Sequence, residues 1–360
     1  MSKKVAIICE YILFPQRIGG MDRFYKAYDI AIKKSGFEPV WFFKSAIPFE
    51  FYKEFDIKSA EGSNLESFFL DYCDSNNLYY DIVITHFLKP ISYFFKEVKK
   101  RNKPYIINVD HNPRPLGGFP LKKIIKNRAK GLLYGKYVDK LVGVSNYTKE
   151  HILNDFGFQL KNKTISVYNG IDVSSCVKQE LDRDENPINF IVVSHLRESK
   201  GIQDLLNAIS KIDSGLYLNF KVDIYGDGPY KEELLRLQSE NQLENVVNFK
   251  GNSPKINELL HKYHYLIQPT YMECFSLSIL ESLACNVPVI TTTVGGNPEI
   301  IKDGINGYIF EPKDIGRLSE IIKNIITGEI AITNEVNIEI EKEFTLDKMV
   351  RKHIKLLTCI

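Results

Sequence analysis

Tyr271 to Ser282 reads YMECFSLSILES and sets two carboxylates, Glu273 and Glu281, eight positions apart in an otherwise apolar stretch. Ile279, Leu280, Leu283 and Ala284 have helical spacing, and Pro288 limits continuation, so Glu281 is expected inside a short helix and Glu273 in the loop before it. From the helix start to Glu281 is roughly 7 to 8 Å of axis at 1.5 Å per residue. That length suits a diphosphate. A helix start at Ser276, Leu277 and Ser278 offers amides to phosphate oxygens, and carboxylates accept strong hydrogen bonds from hydroxyl pairs. An elongated ligand such as a nucleotide-sugar would then place ribose hydroxyls at Glu281, phosphates at the helix start and sugar hydroxyls at Glu273. The plain alternative is one capping acid and one solvated helical acid, and an isolated pair of this spacing favours it.

Other chemistry-bearing residues fall where strands run into helices. VVSHLRESKGIQDLLNAI (192–209) sets Lys200 and Gly201 between a strand and an amphipathic helix, and VDIYGDGPYKEELLRL (222–237) has a glycine-rich turn in the same context. In VPVITTTVGGNPEIIKDGINGYIFEP (287–312) a strand enters a Gly295-Gly296 turn, and a helix is expected to begin near Pro298. His111 follows the strand in YIINVDHN, and His86, ending DIVITH, is a weaker candidate of the same kind whose plain reading is a loop cap. The single D-x-D, Asp182-Arg183-Asp184, sits in a polar segment and reads as a solvated charge cluster, so no metal site is expected.

These positions need a scaffold. A chain of 360 residues exceeds what one core usually supports, so two domains are expected. With 44% hydrophobic and 26% charged residues the composition is that of a globular protein, and a net charge of +2 gives no electrostatic case for nucleic acid. Six scattered cysteines build neither a zinc motif nor a disulfide framework, which fits a reducing compartment such as the cytoplasm. The opening MSKKVAIICEYILF is read as a first strand rather than a leader, because Glu10 interrupts the apolar run, and no apolar stretch approaches a membrane span.

Continuous apolar runs at 5–9, 81–85, 105–109, 140–144, 188–193, 220–225, 265–269 and 287–292 alternate with helical patterns. They predict parallel strands covered on both faces, in two doubly wound α/β domains. The polar stretch SSCVKQELDRDENP divides the series, giving domains at 1–173 and 188–340 with a linker at 174–187. The segment 341–360 ends in an amphipathic helix with Phe344, Met349, Ile354 and Leu357 on one face, its docking undetermined. Ligands of such sheets bind at the carboxyl ends of the strands.

In this order the segments of the second half resemble the second domain of GT-B glycosyltransferases, specifically the large retaining family called family 4, or group 1. RIGGMDRFYKAYDIAIKKSGFEPVWF, with its Gly19-Gly20 loop, and SVYNGIDV extend the resemblance over most of the chain. It implies two Rossmann-like domains facing across a cleft. It also implies a hexosyl-type transfer from a nucleotide-sugar to an acceptor hydroxyl, with retention and with neither metal nor cofactor. Glu281 would bind ribose and Glu273 the donor sugar, while Lys200 would neutralise the diphosphate. Amides at Cys274, Phe275, Ser276 and Leu277, and at Gly19 and Gly20, would hold sugar and phosphates, and His111 would face the reacting sugar.

The chain departs from the family pattern locally. His195 stands where an arginine is usual five positions before the lysine, so either Arg197 substitutes or His195 donates as imidazolium. Cys274 and Ser276 replace glycines beside the first glutamate, and Asn286 replaces another. Nothing resembles the paired acids of a covalent retaining hydrolase, so front-face departure is expected, with stabilisation of the leaving group as the main task. A noncatalytic GT-B nucleotide-binding partner and a sugar-nucleotide epimerase are the competing classes.

Residues 96–149 carry fourteen Lys or Arg against three Asp or Glu. Within residues 119–140, Leu121, Ile124, Ile125, Leu132 and Leu133 alternate with Lys122, Lys123, Lys126 and Lys130. Either this is a basic amphipathic surface near anionic lipid, or a helix docked on its own domain with its lysines outward. By family analogy the expected setting is bacterial surface polysaccharide assembly (lipopolysaccharide, O-antigen or capsule) at the inner face of the cytoplasmic membrane, on a lipid-linked or oligosaccharide acceptor.

Overall fold

The computed structural model describes residues 2–15, 18–47, 49–179, 187–253 and 255–358. They form two compact units. The first holds a seven-stranded parallel sheet made of β1 (Lys3–Leu13), β2 (Phe37–Ala46), β3 (Ile57–Ser59), β4 (Ile82–His86), β5 (Tyr105–Asp110), β6 (Lys140–Gly143) and β7 (Thr164–Ser166), in the order β3-β2-β1-β4-β5-β6-β7. The second holds β8 (Ile188–Val193), β9 (Phe220–Tyr225), β10 (Val247–Gly251), β11 (Tyr265–Gln268), β12 (Val289–Thr292) and β13 (Gly307–Phe310), in the order β10-β9-β8-β11-β12-β13. Each chain path starts in mid-sheet, winds one way and then returns to wind the other. The reversal falls between β1 and β4 in one unit and between β8 and β11 in the other, and a crevice opens at the strand ends at such a point.

The central strands are mostly apolar because helices cover both faces, with polar residues such as His86 and Asp110 at their carboxyl ends. Val5 to Cys9 are wholly buried, as are Phe190 and Ile191. In the first unit the layers are α1 (Gly20–Lys34), α2 (Leu65–Asn76), α3 (Phe94–Lys100), α4 (Leu121–Tyr134) and α5 (Asn146–Phe156). In the second they are α6 (Ile202–Ile209), α7 (Lys231–Glu240), α8 (Ile256–Leu259), α9 (Leu277–Ala284), α10 (Asn297–Ile300), α11 (Ile315–Ile326) and α12 (Ile338–Glu343). The second core packs Val192, Ile224, Ile267 and Ile290 of the sheet against Leu205, Ile209, Leu318 and Ile322. Five strands, β2, β3, β7, β10 and β13, lie outside the apolar runs read from the sequence. β2 contains Glu38, Pro39 and Lys44, and the other four are short strands toward the sheet edges, where apolar runs are brief.

The chain passes between units at Gly170–Ile171 and again at Thr345–Leu346, instead of within 174–187. Residues 180–186 of that segment, with Asp182-Arg183-Asp184, lie outside the described residues, and 174–179 belong to the second unit. The two passages are tied together. Ile171 donates its N–H to the Phe344 carbonyl at 2.9 Å and forms a parallel bridge with Thr345. Arg114–Leu116 also group with the second unit.

The last helix, α13 (Leu346–Thr358), belongs to the first unit. Its buried face is Met349, Val350, His353 and Leu357, whereas Ile354 is only half-buried. A histidine thus occupies the centre of a face that periodicity fills with aliphatics. Its ring lies 5.1 Å from Phe24 and 5.5 Å from Tyr28 of α1, centroid to centroid, while the Met349 sulfur accepts from the Gly170 N–H at 3.2 Å. Because this face is sealed, Leu357→Ala is expected to cost about 2 to 4 kcal/mol, the usual penalty for a cavity at a buried leucine. Urea unfolding of the full chain measures it.

Candidate functional site

In the second unit the site grows from the reversal point. β8 runs into an extended segment, Ser194–Arg197, and a short 3-10 turn, Glu198–Lys200. β11 runs into the loop that carries Glu273 and ends at α9. The two loops meet in an ion pair. The Lys200 Nζ lies 3.0 Å from the Glu273 Oε2, and neither side chain is more than a quarter exposed. The other carboxylate oxygen of Glu273 accepts the Cys274 amide at 3.1 Å.

Backbone approach explains why the loops can touch. Gly201 has φ +68°, and a side chain there would put Cβ 1.8 Å from the Pro269 carbonyl oxygen. The Tyr271 amide donates to the Ser199 carbonyl at 2.8 Å, fastening the same contact. From the other side, a Cβ on Gly295 would fall 2.2 Å from the Glu273 carbonyl oxygen, and the Gly296 amide donates to the Cys274 carbonyl. The Asp227 turn holds the β8 segment similarly, with its carbonyl accepting from the Leu196 amide at 3.0 Å.

α9 begins where the sequence placed it. Ser276 is its N-cap, and its hydroxyl accepts from the Ile279 amide at 3.4 Å and from the Gln268 side-chain amide at 2.6 Å. The hydroxyl therefore serves one helix-end amide itself, and the amides of Leu277 and Ser278 remain without intrahelical partners by the geometry of helix ends. Glu281 is the fifth residue of α9 and is half-buried. Phe275 is 3% exposed and its ring packs 5.6 Å from Phe344, so its side chain is part of the core and only its backbone is available to a ligand. Cys274 is buried as well. His195 and Arg197 are exposed on either side of buried Leu196, which puts them on one side of an extended segment. Among the described residues Arg197 makes no side-chain hydrogen bond or ion pair.

In the first unit the reversal point lies between β1 and β4. Gly19 caps α1, with φ −105°, and a Cβ there would meet only a carboxylate oxygen at 3.6 Å, so the fold itself does not demand glycine. Its amide, expected to serve phosphate, instead donates to the Asp22 Oδ2 at 2.8 Å. Gly20 is the first residue of α1, where an amide has no intrahelical acceptor. Asp22 is wholly buried and also accepts from the Tyr11 hydroxyl at 3.0 Å and the Tyr52 hydroxyl at 2.7 Å. Sequence reasoning passed over this residue, although an acid at the third helical position can reach back to the N-cap amide, the one half of a capping box that a glycine N-cap allows.

His111 and His86 are partners: His111 Nε2 and His86 Nδ1 share a hydrogen bond of 3.0 Å. The His111 ring stacks on Phe87 at 4.3 Å, and His353 lies 6.2 Å from His86 between centroids. Burial, and then the neighbouring His353, push His111 down to about 3. Burial alone pushes His353 down to about 4. His86 falls well below its ordinary value, through burial first and then His111 and His353. All three are therefore neutral imidazoles at neutral pH, suited to exchanging hydrogen bonds and poorly suited to carrying charge. The unfolded chain takes up protons near pH 6.5 that the folded chain refuses until about 3 to 4. Stability present above pH 6.5 is accordingly lost as the pH falls through that window. Stability followed between pH 7 and pH 4 is expected to decline, and His353→Phe to make the decline shallower.

Residues 176–342 match the family model described as Glycosyl transferases group 1. The chain is 32% identical over 235 residues to an uncharacterized glycosyltransferase of Methanocaldococcus jannaschii, a match covering 63% of this chain and 62% of that protein. It thus spans about three fifths of that relative's length. Among solved structures, Anabaena HepE in complex with UDP and glucose aligns with a TM-score of 0.77 at 16% identity over 99% of this chain and 100% of that one. The lipopolysaccharide outer core galactosyltransferase WaaB aligns with a TM-score of 0.73 at 20% identity, covering 99% and 100%. At these identities the likeness concerns architecture, and the architecture is GT-B.

Proposed function

We infer, from a GT-B chain whose residues 176–342 match the group 1 glycosyl transferase model, that this protein is a glycosyltransferase moving a sugar from a nucleotide-sugar to an acceptor hydroxyl. The observation that carries the reading is the Lys200–Glu273 pair at the reversal point of the second sheet, beside the N-terminus of α9. A lysine ammonium has three donors, and Glu273 takes one, which leaves two for diphosphate oxygens. The Glu273 carboxylate uses two of its acceptor positions on Lys200 and Cys274 and keeps others for sugar hydroxyls. The α9 amides add to the positive field where the leaving diphosphate gathers charge. Glu281, the fifth residue of α9, is assigned to the ribose hydroxyls.

The assignment extends to a retaining, hexosyl-type, metal-independent transfer of family 4 type. Departure of the diphosphate is assisted by Lys200, with Arg197 or His195 completing the charge, and the departing oxygen takes the acceptor's proton on the same face. His111 serves as a neutral hydrogen-bonding group toward the sugar, and Gly20 as a phosphate contact. No cofactor is needed, since the nucleotide-sugar supplies the activated bond. Two of the similar proteins bear on the setting: one was solved with UDP and glucose and another is named for lipopolysaccharide outer core synthesis. We extend the reading to a cytoplasmic role in bacterial surface polysaccharide assembly, on a lipid-linked or oligosaccharide acceptor, with these two names as its support.

Incubating the full chain with a panel of nucleotide-sugars, with and without such acceptors, tests the reading. Nucleoside diphosphate release coupled to a glycosylated product of retained configuration is expected. Nucleotide binding without release would identify a noncatalytic partner, and isomerised donor without acceptor an epimerase. Lys200→Ala should lower turnover by about a hundredfold or more, the usual cost of losing a group that stabilises developing charge. Glu281→Gln should chiefly raise the KM for donor. Wild-type values in both variants would remove these two assignments.

A further inference from the structure

α4 turns its aliphatic side outward. At about 100° per residue, Leu121, Ile125 and Leu132 fall within about 40° of one another on the helix surface, and they are 71%, 61% and 71% exposed. Leu133, 61% exposed, lies about 80° further round the helix from Ile125, beyond Lys122. The buried positions are Asn127 and Gly131. A Cβ at Gly131 would lie 1.8 Å from the Phe156 carbonyl oxygen, so the glycine lets α4 sit directly on the end of α5. Arg128 fastens the same contact by donating to the Asn154 carbonyl at 3.0 Å.

A helix that merely covered its own sheet would bury its leucines and expose its lysines. Here both are exposed. Lys122 and Lys126 follow the stripe on one side and Arg128 borders it on the other, Lys123 and Lys130 lie further round the helix, and α4 contains no acidic residue. Lys123 also reaches over the Phe119 ring at 3.5 Å just before the helix. Single exposed leucines are common, but four on one short helix with five cations form a surface that needs a partner.

We propose that this face of α4 docks on a bilayer bearing anionic headgroups, with Leu121, Ile125, Leu132 and Leu133 in the acyl boundary and the lysines on lipid phosphates. Aliphatics flanked by cations whose long stems can rise to the headgroups have the chemistry of an interfacial helix. A second copy of this chain pairing the same face is a poor occupant, because the five cations of α4 would meet five like cations and the helix itself supplies no acid. The attachment is superficial, since among the described residues no helix is long and apolar enough to cross a membrane. The proposal deepens the transferase reading by bringing the enzyme to a lipid-linked acceptor, and binding itself requires no donor.

Flotation of the full chain with vesicles tests it, using phosphatidylcholine alone and phosphatidylcholine mixed with phosphatidylglycerol. Binding to the anionic vesicles is expected, weakening as salt rises. The Leu121→Ser/Ile125→Ser/Leu132→Ser variant should lower the bound fraction by about tenfold or more, since it removes the buried apolar area. Lys122→Glu/Lys126→Glu should abolish the preference for anionic lipid. These positions are solvent-exposed, so thermal melting should match the parent protein. Undiminished flotation of the serine variant would overturn the proposal. So would a wild-type chain that ignores vesicles, whether it self-associates through the stripe or binds only an acidic polypeptide. Nucleotide release with a soluble acceptor separates the two readings: if release is absent while flotation persists, the transferase reading alone fails.

Discussion

The Lys200–Glu273 ion pair is the point on which the second unit's chemistry depends, because it joins the two loops that leave the sheet where its winding reverses. An ion pair in a partly buried setting is useful only when both partners are held, and here the backbone does the holding. Gly201 against Pro269, and Gly295 against Glu273, are contacts too close for any side chain. The glycines therefore act by letting main chain meet main chain, which fixes the lysine and the carboxylate before any ligand arrives. That is the form of preorganisation from which electrostatic catalysis draws its strength.

The first unit solves a different problem. It places polar groups at the carboxyl end of a fully covered parallel sheet, where each must find a partner or pay for desolvation. Asp22 meets this by gathering a backbone amide and two tyrosine hydroxyls. The histidines meet it by remaining neutral, His111 and His86 sharing one hydrogen bond among aromatic rings. α13 contributes His353 to the same cluster, so the end of the chain helps to set the environment of groups encoded far upstream.

α4 follows a third rule. Its inward face is small and polar, which lets it approach α5, and Leu121, Ile125, Leu132 and Leu133 are left exposed. Hydrophobic periodicity alone reports that a helix is amphipathic. It does not report which way the helix is turned, and a single glycine reverses the usual inference.

Much of this protein was legible in its residues. Continuous apolar runs separated by helical patterns specify parallel strands covered on both faces, and so two doubly wound units. The helix carrying Glu281, the strand-to-helix position of Lys200 and the strand-end position of His111 follow from local spacing, because periodicity is short-range physics. What lay beyond the sequence was every decision made by contacts distant along the chain. These include Lys200 pairing with Glu273, Gly19 spending its amide on Asp22, Phe275 turning inward onto Phe344, and α13 returning to the first unit. Local propensity sets what each segment is; which segments meet depends on a global packing minimum in which burial and hydrogen-bond satisfaction are settled together, and no short stretch contains that information.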